Sequence, residues 1–114
     1  MQGIPNESRE KSVITLLDGV ETNQTSPVIP FGSGRKWAQV NIIGTGTVSA
    51  TVEFYGNNVS SNLNGVLLAT TGDTLSGTNS DVAGADIPGE PAYIYCVLSA
   101  ITGTNAAVTV TIGI

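Results

Sequence analysis

Residues 37–55, WAQVNIIGTGTVSATVEFY, decide the fold class. Ala38, Val40 and Ile42 alternate with Trp37, Gln39 and Asn41. Val48, Ala50, Val52 and Phe54 then alternate with Thr47, Ser49, Thr51 and Glu53. A period of two means that successive side chains fall on opposite faces, one face buried and the other wet, as in a half-exposed β-sheet. Gly44-Thr45-Gly46 separates the two runs, and a Gly-rich connection between alternating segments predicts an antiparallel hairpin. Gly56-Asn57-Asn58 ends it.

The same pattern extends outward. In residues 92–100, Ile94, Cys96 and Leu98 lie on one face and Tyr93, Tyr95 and Val97 on the other. Residues 102–105 (TGTN) predict a turn, and Val108, Val110 and Ile112 then alternate with Thr109 and Thr111. Upstream, residues 12–17 (SVITLL) read as a strand that Asp18-Gly19 stops. Residues 26–31 (SPVIPF) form an extended piece whose Pro27 and Pro30 confine it to a sheet edge, because proline has no N–H to give to a ladder. Residues 56–65 read as a polar loop and 66–70 as a short strand. In the weaker segment 73–83, Leu75 and Val82 are the expected inward residues, and 84–91 (GADIPGEP) reads as a loop.

No segment carries a 3.6-residue period with helix caps. Seven to eight short strands at 8–12-residue spacing predict an all-β fold, a single antiparallel β-sandwich of jelly-roll or immunoglobulin-like strand order. Residues 1–11 carry Pro5, Asn6 and four charges without apolar period, and are expected to be an extended N-terminal arm. The domain proper is expected over residues 12–114.

Composition limits the chemistry. The 114 residues contain no His and one Cys. That rules out His-based acid–base catalysis, Ser-His-Asp and Cys-His nucleophiles, an intrachain disulfide and the usual His or Cys zinc sites. Four basic residues stand against nine acidic ones, a net charge of −5. Such a chain is a poor partner for nucleic acid or an anionic membrane. The polar start MQGIPNESREK does not read as a secretory leader, so synthesis in the cytoplasm is expected. Residues 44–49 (GTGTVS) join two strands and do not open a helix, so they lack the N-terminus a phosphate-binding glycine loop needs. Asp73, Asp81 and Asp86 match no calcium-loop spacing. Cys96, on an inward face, is expected to be a buried and inert thiol. No catalytic residue, cofactor or metal ligand is expected.

All four basic residues, Arg9, Lys11, Arg35 and Lys36, lie in the first third, so residues 37–114 carry the whole −5. Trp37, Tyr55, Tyr93 and Tyr95 fall on expected outer faces or strand ends, and Trp and Tyr are favoured contact residues. The candidate interface residues are therefore Arg9, Lys11, Arg35, Lys36, Trp37, Tyr93 and Tyr95.

Residues 44–58 (GTGTVSATVEFYGNN) resemble a segment of small structural proteins of tailed bacteriophages, in which a GT-x-SATV strand leads to a Gly/Ser-Asn turn. Residues 91–114 (PAYIYCVLSAITGTNAAVTVTIGI) are similar to the C-terminal hairpin of those proteins. Together the two stretches cover about a third of the chain. The resemblance implies a virion component, above all a head decoration or cement protein on the capsid exterior. Its implied partners are the major capsid protein and sister copies in a dimer or trimer, with no nucleic acid and no membrane. A tail, neck or fibre-associated module that binds a receptor or carbohydrate is the alternative.

Overall fold

The computed structural model describes residues 12–71 and 76–113. The expected arm 1–11, with Arg9 and Lys11, and Asp73 and Leu75 lie outside the described residues. The protein is all-β, as the alternation predicts. Among the described residues seven strands follow in order: β1 (Val13–Val20), β2 (Gln24–Thr25), β3 (Ile29–Pro30), β4 (Lys36–Asn57), β5 (Val66–Thr70), β6 (Ser76–Ile87) and β7 (Tyr93–Gly113). All pairings are antiparallel and belong to one sheet.

The two expected hairpins are not hairpins. Residues 44–46 lie inside the 22-residue β4, and residues 102–105 inside the 21-residue β7. These strands pair with each other from Trp37 opposite Gly113 to Asn57 opposite Tyr93. A straight strand of that length would span about 70 Å, whereas the longest dimension of the molecule is 50 Å. The β4–β7 ribbon therefore bends at its middle, where its register shifts. Gly46 (φ 75°) and Gly103 (φ 128°) take backbone angles closed to most residues. A Cβ on Gly44 would stand 2.7 Å from Val48 Cγ1, so the bend also needs the missing side chain there.

Bending converts one sheet into two layers. The first runs β1, the C-terminal half of β7, the N-terminal half of β4, then β6. The second runs β2 and β3, the N-terminal half of β7, the C-terminal half of β4, then β5. The sequence left the strand order of the sandwich open; this is the order observed. Ala38, Val40 and Ile42 from one layer share a single core with Val48, Val52, Phe54, Ile94, Cys96 and Leu98 from the other. Val108, Val110 and Ile112 complete it, so every inward residue expected in these runs is buried. Each such Val, Ile, Leu or Phe contributes ~1.5–3 kcal/mol relative to exposure, which is what commits the even-numbered face to the interior.

Three smaller expectations change. Asp18-Gly19 does not stop β1; Gly19 (φ 61°) sits in an irregularity between Leu17 and Val20 and the strand goes on. Residues 84–87 belong to β6, where a loop was expected. Val82 faces out: it pairs with outward Asn41, while its neighbour Ala83 pairs with buried Val40 and packs on the core.

Pro27 and Pro30 do lie along an edge. Among the described residues β2 and β3 pair only with β7, and between them the buried Ser26 replaces the ladder. Its N–H donates to Cys96 O at 2.8 Å, and its hydroxyl accepts from Cys96 N–H at 2.9 Å and donates to Pro27 O at 3.0 Å. Among the described residues no buried side-chain polar atom lacks a partner.

Candidate protein-docking surface

The bend closes one end of the sandwich. At the other end β4 and β7 begin and finish, and the segments 31–35, 57–65 and 88–92 gather there. Three register pairs form a row across the first layer at this open end: Val13 opposite Gly113, Gly113 opposite Trp37, and Trp37 opposite Asp86.

Trp37, the aromatic residue of this row, is 48% exposed. Its ring lies over Gly84 of β6, where a Cβ would come within 2.0 Å of Trp37 Cζ2. One side of the indole is thus seated on bare backbone. Arg35, just before β4, pairs with Asp86 at 3.6 Å, with both side chains largely in water. A pair so exposed contributes little to folding and exchanges readily for another carboxylate. Arg35 and Asp86 also line a cleft of about 440 Å³ with Pro88 and Glu90. Glu90 Oε1 accepts a hydrogen bond from Gly34 N–H at 3.2 Å.

Two candidate interface residues are not accessible. Lys36 is only 3% exposed. Its ammonium donates to Ser33 O and to Gly34 O (3.2 Å) and lies 4.8 Å from the centre of the Phe31 ring. It ties down the 31–35 turn in place of offering charge to a partner. Tyr95, expected on an outer face, is also 3% exposed. It stacks on its register partner Tyr55, with centroids 5.3 Å apart and planes at 9°, and its hydroxyl accepts from Gly65 N–H at 2.9 Å. The 57–65 loop buries it by crossing the outer face of the second layer, where Asn62 Nδ2 donates to Ser26 O at 3.0 Å. Tyr93 is half-buried.

Tyr55 donates its hydroxyl to Glu53 Oε1 at 2.9 Å. That bond, then burial and the Glu53 charge, raise its pKa above the usual phenol value. Cys96 is buried as expected. Burial pushes its thiol up to about 12, and the Ser26 hydroxyl offsets only part of the rise. Asp81 and Asp86, five residues apart on β6, point to opposite faces. Among the described residues, no three His, Cys, Asp or Glu side chains gather as metal ligands would.

The sequence reading missed two features. Gly84 is the seat of Trp37, and an isolated glycine in an expected loop gave no sign of it. Val59, Leu63, Val66 and Leu67 stand 50–70% exposed around the 57–65 loop and β5. The available signal was the absence of any charged residue from 54 to 72.

No protein-family model matches the sequence, and no curated protein matches it. Among solved structures, the chain is similar to the SPBc2 prophage-derived protein YomS, with a TM-score of 0.55, 18% identity, and 91% of this chain and 92% of that one covered. The K1 cleaved adhesin domain of Lys-gingipain from Porphyromonas gingivalis W83 aligns at a TM-score of 0.45 with 16% identity, over 88% of this chain and 71% of that one. A chain of infectious bursal disease virus aligns at 0.39 with 11% identity, over 90% of this chain and 31% of that one. At this level of identity the YomS likeness identifies a shared fold.

Proposed function

We propose that this protein is a structural component of a tailed-phage virion, a decoration protein that docks on the major capsid protein through its open end. The resemblance of residues 44–58 and 91–114 to phage structural proteins supports this reading, as does a fold shared with a prophage-derived protein.

One observation carries it. The row Val13–Gly113–Trp37–Asp86 sets the beginning of β1 two strands from Trp37, about 10 Å away. Next to Trp37 in that row, Asp86 pairs with Arg35, so a half-exposed indole and an exposed guanidinium share one corner of the open end. A half-exposed indole beside a guanidinium whose ion pair lies largely in water suits a carboxylate-bearing protein surface: Arg35 can exchange Asp86 for a partner's carboxylate and the indole supplies buried area. A modest contact repeated over a capsid lattice gives persistent occupancy.

Co-sedimentation of the full chain with undecorated heads of the parent phage tests the reading. Saturable binding is expected, weakened roughly tenfold or more by Arg35→Glu and by Trp37→Ala. Deleting residues 1–11 weakens it further and leaves a folded domain. Heads that bind no protein contradict the proposal, as does equal binding by the Arg35→Glu, Trp37→Ala double variant. Selective binding to tails favours the tail-associated alternative.

A further inference from the structure

We infer that the corner formed by the 57–65 loop and the outer edge of β5 docks a second copy of this chain. Four apolar side chains, Val59, Leu63, Val66 and Leu67, are 50–70% exposed there. Val66 pairs with Gly56 at the base of the loop and Asn57 folds the loop back on that base, while Leu67, opposite Tyr55, leaves from the other face of β5. Asn57 Nδ2 donates to Ser61 O and Leu63 O, each at 3.1 Å, and its Oδ1 accepts from Val59 N–H at 3.1 Å. With the Asn62–Ser26 and Gly65–Tyr95 bonds, the loop is already ordered. Docking on it therefore pays little for ordering the chain.

Among the described residues, β5 pairs with β4 alone, so its other edge offers unpaired backbone groups to a further strand. Charge selects the occupant. Two copies each carry −5, and approach through an acidic surface is repelled. Residues 54–72 contain no charge, and Glu53, opposite Thr70 at one end of β5, accepts the Tyr55 hydroxyl, so this corner brings few carboxylates to the meeting of identical bodies. Antiparallel pairing of β5 with its copy about Leu68 would set Val66 against Thr70 and Leu67 against Ala69, all uncharged. Standard stable interfaces bury roughly 800 Å² per partner. The apolar loop and the five-residue strand edge must therefore contribute together.

This inference does not rest on capsid docking, and its test uses no capsids. Sedimentation velocity of the full chain is expected to show association that rises with concentration and strengthens with added salt, because salt screens the −5 repulsion. The Leu63→Ser, Leu67→Ser variant is expected to weaken association more than ~tenfold while its circular dichroism stays native. Val82→Ser, on the exposed face of the other layer, leaves association unchanged. A chain that is monomeric up to about 1 mM overturns the inference. So do association that salt weakens, an unaffected double variant, and equal loss in Val82→Ser.

Discussion

Tyr95 lies flat against Tyr55 at 5.3 Å, and its hydroxyl receives the N–H of Gly65 at 2.9 Å. The pair is the floor on which the 57–65 loop rests. Removing only the acceptor, as in Tyr95→Phe, keeps the stack and orphans the part-buried Gly65 N–H. A loss of about 1–2 kcal/mol is expected in urea unfolding. Faster hydrogen exchange at Gly65, with β4 and β7 unchanged, localises the effect. Unchanged stability and exchange at Gly65 would show that the hydroxyl does not hold the loop.

The Cys96 thiol gives a pH signature. Its ordinary value is 9.0 and the fold raises it to about 12. Between these values the unfolded chain has lost the proton and the folded chain keeps it, so stability falls as pH rises. The contribution is complete below pH 9 and declines towards 12, by at most about 1.4 kcal/mol per pH unit. Urea titrations at pH 8, 9.5 and 11 should show a steeper alkaline loss for the native chain than for Cys96→Ala. Parallel pH profiles would refute the assignment. A thiol reagent should react at pH 8 only at the rate of opening.

The single tryptophan reports on its own seat. A Cβ at position 84 cannot coexist with the indole at 2.0 Å, so Gly84→Ala must swing Trp37 off β6. The expected result is a red-shifted emission with the β fold retained and a stability change of about 1 kcal/mol. Emission identical to that of the native chain would mean that the ring does not lie over Gly84.

The inward face of the sandwich was legible in the sequence, and the path of the chain was not. Folding residues 37–55 as a hairpin about Thr45 sets Ile42 against Val48, Val40 against Ala50 and Ala38 against Val52. The bent continuous strand buries those same residues. The period of two is satisfied either way, and Gly44-Thr45-Gly46 marks a deviation without its size. What decides is a distant partner, since β7 offers 21 residues against which β4 can pair throughout. Lys36 escaped because it is the first residue of β4, in phase with buried Ala38 and Val40, where a charge gives no sign of an inward position; Tyr95 escaped for another reason. Strand parity tells which face a side chain leaves from, but not that a later loop will cover that face. At Val82 and Ala83, adjacent apolar residues gave no phase, and pairing with Asn41 and Val40 supplied it.

Images of whole particles carrying gold-labelled Fab against this chain test the decoration reading most directly. The account predicts label spread over the head at regular lattice spacing, lost when Arg35→Glu and Trp37→Ala are combined. Label confined to the tail, or absent from purified particles, would contradict it.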